Sequence, residues 1–281
     1  MAQDTLRETT IPQALAMLVV NPMAAFRVLG TGKLSSVGLA VAAGEEAAFD
    51  SFLSTHGSAF RVSVLLLRKR RMDNILDTLP VVRKLFSEYE VACYWDDYLS
   101  SLAVGESTPQ NPLLESVYFG KFIQRQLPDS DIHAVLVSYD VARNEVLAAI
   151  AAQTTVYLHA STHAGSTRWA PLLHPSVRVQ TFPSNVGALV RMLTAGGERN
   201  SVVGTSNNQP ESILFFKNWT RGGVGSLRVN AAVEKVLPLL NGKYSADYLI
   251  SQSAALQNLL NVLDNSGAIA HVIVGSVRNE A

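Results

Sequence analysis

Residues 253–264, SAALQNLLNVLD, hold no lysine or arginine, yet they place Leu256, Leu259, Leu260 and Leu263 on one helical face. Ser253 stands where such a helix needs a cap. Just upstream, Ser245 is placed to cap a short helix over 246–251. Before that, Asn230 is placed to cap one over 231–240, which Gly242 stops. Two β-type runs precede the helices, Ile213-Leu214-Phe215-Phe216 and Ser226-Leu227-Arg228-Val229. Gly222, Gly223 and Gly225 lie between those runs as a hairpin turn. Downstream, Gly267 closes the last helix before the apolar run His271-Val272-Ile273-Val274.

Two strands, three short helices and a closing apolar run are the order of a winged helix, a fold that usually grips DNA. The helix that would enter the groove, Ala254 to Asp264, has no cation for phosphate, and residues 201–281 hold six basic against five acidic side chains. Such a module binds something else, and an extended peptide suits it. A peptide could add as a further strand to Ser226, Leu227, Arg228 and Val229, with side chains falling against Leu256, Leu259, Leu260 and Leu263. The opposing expectation is that Val272-Ile273-Val274 already covers that edge.

The first half reads as helix after helix. Pro12 opens one helix and Asn21-Pro22 breaks it, with Met23 to Leu29 following. Leu34 to Ala43, Glu45 to Ser54, Ser58 to Leu79, Pro80 to Leu102, Leu113 to Leu127 and Asp131 to Gln153 continue the pattern. From Thr154 the chain turns β-prone, and His174 to Val179 resembles a strand after a turn. The expected fold class is α+β. An all-helical domain over 1–165 is followed by a winged-helix-like peptide-recognition domain over 166–281.

Hydrophobic residues make up 48% of the 281 and charged ones 16%, enough for a substantial core. The formal net charge is zero, so nothing global attracts nucleic acid or an anionic membrane. One cysteine, Cys93, excludes an intrachain disulfide and reads as a small buried hydrophobe. No signal peptide or membrane-length apolar run is evident, so the expected location is cytoplasmic.

Signals for chemistry are sparse. His159 and His163 are four apart, but in a Ser/Thr/Gly-rich stretch where no helix is expected. Asp96-Asp97, beside Tyr94, Trp95 and Tyr98, reads as one paired acid, one exposed acid and aromatic packing. No metal and no catalytic group is assigned to this chain. Arg68-Lys69-Arg70-Arg71 is the one strong charge cluster and is expected to meet a partner.

These segments together resemble a known group. They are Asn21-Pro22 with Phe26-Arg27-Val28-Leu29-Gly30, the basic Leu67 to Arg71, and the hinge Leu173 to Val179. Leu239-Leu240-Asn241-Gly242 and Leu263-Asp264-Asn265-Ser266-Gly267-Ala268-Ile269 complete the set. The chain resembles the partner proteins of multinuclear non-haem iron-dependent oxidases in ribosomal peptide modification, and its length suits the longer, TglI-like members. The resemblance implies a non-catalytic subunit that holds a ribosomally made precursor peptide and presents its cysteine to the oxidase, as in 3-thiaglutamate-type biosynthesis. Iron would then reside in the partner enzyme, with no cofactor here. Two other readings rank below it. One is a winged-helix DNA-binding regulator; the other is an enzyme with a helical pocket using Asp96, Asp97 or His133.

Overall fold

A computed structural model of the chain describes residues 6–104, 111–128, 131–152, 169–197, 199, 201, 209–218, 223–253 and 255–273. It combines helices with small sheets and falls into two compact units, Met1–Gln126 and Leu127–Ala281.

The first unit is mostly helical. Thr10 and Gln13 form a capping box that starts α1 (Ile11–Val20), with Pro12 in the first turn. Asn21 ends α1 and caps α2 (Pro22–Thr31), its Oδ1 accepting the Ala24 N–H at 3.1 Å. The long α3 (Glu46–Leu76), α4 (Pro80–Leu85), α5 (Glu88–Ser101) and α6 (Pro112–Gln126) follow. Ala14, Leu18, Ala25, Val28, Leu39, Phe49 and Val64 share one core. A second cluster packs Trp95 and Tyr98 of α5 edge-on or tilted against Phe119 and Phe122 of α6, with ring centroids 5.1–5.7 Å apart.

Three expectations for this unit need correction. It is not all-helical: Leu34 to Ala43 is a single 3-10 turn followed by β2 (Leu39–Val41), which pairs in parallel with β1 (Arg7–Thr9). Gly38 at φ 76° ends the turn, and α1 and α2 supply the crossover that parallel strands require. The helices expected over 45–54 and 58–79 are one, because Gly57 stays helical and lets Leu29 approach. The helix expected over 80–102 is two, because Phe86 is extended and Ser87 with Glu90 forms a new capping box.

The second unit begins with α7 (Ile132–Ala152), a helix inside the 1–165 span expected for the first domain. β3 (Trp169–Leu173) pairs antiparallel with β7 (Ile269–Ile273). β4 (Arg178–Phe182), β5 (Glu211–Lys217) and β6 (Val224–Val229) form an antiparallel sheet in that order. α8 (Val186–Thr194) follows β4, and α9 (Ala231–Val236), α10 (Ala246–Gln252) and α11 (Ala255–Asn265) follow β6. β5 is buried on both faces, which explains why its apolar run is continuous instead of alternating.

Candidate peptide-docking edge

The hairpin that makes the edge is built from glycine. Gly223 at φ 72° closes the β5–β6 connection, and its carbonyl accepts the Asn218 N–H at 3.1 Å. Gly225 lies beneath the Phe216 ring, where an added Cβ would stand 2.4 Å from Cζ. Register pairs Phe216 with Gly225, Leu214 with Leu227 and Phe215 with Ser226.

Strand alternation divides the four expected edge residues between two faces. Leu227 and Val229 point to the core shared with Leu214, Phe216, Leu249, Leu260 and Leu263. Ser226 and Arg228 point to the other face, which α7 covers. There Tyr139 packs on Phe215 at 5.1 Å between ring centroids, and its hydroxyl lies 3.2 Å from Ser226 Oγ. Arg178 of β4 ion-pairs with Glu145 of α7 on the same side. The buried Glu211 accepts the Gly187 N–H in the first turn of α8 at 2.9 Å, with Arg228 Nε 3.7 Å from its other oxygen.

Helix caps fix the opposite wall. Asn230 Oδ1 accepts the N–H groups of Ala232 and Val233, and Ser245 Oγ accepts that of Tyr248. α11 ends in a Schellman turn, with Gly267 N–H to Asp264 O and Ala268 N–H to Leu263 O, both 2.8 Å. Asn218 of the hairpin donates to Ser266 O at 2.8 Å, joining the turn to the helix end. The expected leucine stripe is present but unevenly accessible. Leu260 and Leu263 are 2% and 1% exposed and belong to the core, whereas Leu256 and Leu259 are half-buried at its margin. The surface open to a docked chain is therefore Leu227, Leu256 and Leu259, with Leu260 and Leu263 supporting from behind.

Within the described residues β6 is terminal in its sheet. The Val272-Ile273-Val274 run does not cover it: Val272 and Ile273 pair with Ala170 and Trp169 of β3, and Val274 lies outside the described residues. The other flank of β3 is bonded to residues 240–242, through Leu173 N–H to Leu240 O and Gly242 N–H to Pro171 O.

The remaining candidates are dispersed. Three of the four cations in the basic run already have acid partners: Arg68 bonds Asp96 at 2.7 Å, Lys69 bonds Asp73 at 3.0 Å, and Arg71 bonds Glu115. Asp97 is exposed, as expected beside a paired Asp96. His133 sits at the start of α7 with Nδ1 2.6 Å from Asp131 Oδ1, and its Nε2 accepts from Arg199 Nε at 3.2 Å. Burial would raise the Asp131 carboxyl, but the backbone and side-chain hydrogen bonds from His133 hold it below its ordinary value. Cys93 is exposed rather than buried, because it falls on the α5 face opposite Trp95 and Leu99. His159 and His163 lie outside the described residues. Among the described residues no group of three or more His, Cys, Asp or Glu could hold a metal ion, and no helix is long and apolar enough to cross a membrane.

No protein-family model and no curated protein matches this chain.

Proposed function

We propose that this chain is a peptide-binding subunit that acts without catalytic groups of its own. The observation that carries the reading is β6. It is the terminal strand of its sheet among the described residues, and its Leu227 shares with Leu256 and Leu259 of α11 the half-buried margin of one core. A peptide added as a further strand would satisfy its outward N–H and C=O groups and cover those leucines. The companion helix α11 has no lysine or arginine with which to hold phosphate, which disfavours a winged-helix DNA regulator.

By resemblance to the partner proteins of multinuclear iron-dependent oxidases, the peptide is a ribosomally made precursor, modified in the cytoplasm. The iron belongs to a separate oxidase subunit. Binding both would make delivery of the cysteine intramolecular and could raise apparent affinity about 100-fold or more. A winged-helix-like recognition domain and partner contact through Arg68, Lys69, Arg70 and Arg71 are parts of this reading.

Proline scanning tests the edge. N–H groups of adjacent strand residues point to opposite edges, so Leu227→Pro and Arg228→Pro have different effects. One breaks the ladder to β5; the other leaves the ladder intact and removes an outward donor together with its own side-chain contacts. With the precursor peptide encoded beside this gene as a fluorescent probe, the variant that keeps the native melting curve should lose at least about tenfold in affinity. Full affinity in that folded variant would remove β6 as the docking edge. Metal analysis of the co-purified complex should find iron in the oxidase alone.

A further inference from the structure

The first unit contains a slot that the docking edge does not use. It lies among α1, α3, α5 and α6, has a volume of about 400 Å³, and is walled by Val19, Val20, Leu67, Ile75 and Leu99. That volume is toward the small end of ligand pockets, which span about 300–1,000 Å³. Val20 and Leu67 are 37% and 45% exposed, so part of the apolar lining faces solvent.

The polar groups in the slot separate into held and spare. Arg71 is fixed by Glu115, by the Val20 carbonyl at 2.8 Å and by the Trp95 ring beneath its guanidinium at 5.5 Å. Arg68 is fixed by Asp96. Each of these cations is neutralised by a carboxylate. Arg70 also lines the slot, and among the described residues no carboxylate pairs with it. Asn74 lies one helical turn further along α3 on the same side, and its carboxamide has no hydrogen-bond partner among the described residues.

We propose that this slot binds a carboxylate attached to an apolar group. Arg70 and Asn74 supply the donors, and Val20 and Leu67 take the apolar body. A guanidinium receives a carboxylate through two parallel N–H bonds, and the carboxamide supplies a further donor. A single uncompensated cation matches a monoanion. A phosphate ester carries about −1.5 to −2 charges and would leave charge unbalanced among apolar walls. The chemistry is available from two sources: a free organic acid, or an acidic side chain beside an apolar one on another protein. This inference is independent of peptide docking at β6.

Calorimetric titration of the full chain tests it with four probes: sodium octanoate, 1-octanol, sodium acetate and the capped peptide acetyl-Leu-Glu-Leu-amide. Saturable one-to-one binding of octanoate or of the peptide is expected, and whichever binds identifies the source. Octanol and acetate, each lacking one half of the ligand, should not saturate. Arg70→Gln, at an exposed helix position that tolerates substitution, should weaken binding about tenfold or more, and Asn74→Leu should weaken it too. The proposal fails if neither octanoate nor the peptide binds, if octanol binds as well as octanoate, or if Arg70→Gln with a native melting curve keeps full affinity.

Discussion

The Phe216 ring occupies the space that a methyl group on residue 225 would need. Gly225→Ala should therefore displace the ring from the core it shares with Leu214 and Leu249, costing about 1–3 kcal/mol, measurable by urea denaturation. Gly223→Ala differs, since it has open space but a φ of 72°, and should cost about 1 kcal/mol through backbone strain alone. His174 sets a pH dependence. Burial, with repulsion from Lys217 second, lowers its pKa below 6.5, and Nδ1 accepts the Ser176 N–H at 3.1 Å, as a neutral ring can. The unfolded chain takes up this proton near pH 6.5, before the folded chain does. The contribution is thus present above 6.5 and lost as pH falls through the lower folded value. In His174→Asn, which keeps an acceptor near Nδ1, the slope of stability between pH 6.5 and 5 should flatten. An unchanged slope would assign that dependence to other groups.

Among the elements, α3 joins its neighbours through two ion pairs, Arg68 with Asp96 on α5 and the more buried Arg71 with Glu115 on α6. Arg71 on α3 bonds Glu115 on α6, which is 3% exposed, and also donates to the carbonyl of Val20 at the end of α1. Arg71→Met leaves that carboxylate buried and unpaired, at a cost of about 3–5 kcal/mol, whereas Arg71→Met with Glu115→Leu should recover most of it. A thermal-melting cycle of the single and double variants measures this coupling. Elements with their own punctuation were legible in the sequence. Asn230, Ser245 and Gly267 mark helix ends, and each performs that role. What escaped were elements fixed from outside. β2 is a strand only because β1, whose Arg7 pairs with Leu39, runs beside it. Cys93 is exposed because of which α5 face meets α6. One local signal was present but unused: Ser87 and Glu90 have the spacing of a capping box that divides residues 80–101 into two helices. At the docking edge, the leucine period was readable, but which leucines stay accessible depends on strands on both sides of the helix in sequence, β5 and β6 before it and β7 after it.

At the scale of the molecule, the division between Gln126 and Leu127 assigns α7 to the second unit, where it packs on β4, β5, β6 and α8. Val135, Leu136, Val137, Val141 and Val146 are covered, and Tyr139 packs on Phe182 and Phe215 of the sheet. At about 1.5–3 kcal/mol for each aliphatic side chain, that burial is comparable to the whole stability of a domain. A fragment of residues 127–281 should melt cooperatively. A fragment of 166–281 should bind a hydrophobic dye and lack a sharp transition, because Phe182 and Phe215 lose their cover. Cooperative melting of the shorter fragment would show that the sheet is stable without α7.

The pairing of β3 with β7 also sets a timetable for synthesis. Trp169 leaves the ribosome about a hundred residues before its partner Ile273, which at roughly 5–20 residues per second is a wait of about 5–20 s. Residues 240–242 arrive earlier and can hold the opposite flank of β3 meanwhile, through the carbonyls of Leu240 and Pro171. The nascent chain therefore has a provisional clasp on an apolar strand before its permanent partner exists. Codon changes that slow translation between 243 and 268 should lengthen that interval and raise the aggregated fraction without altering a single residue.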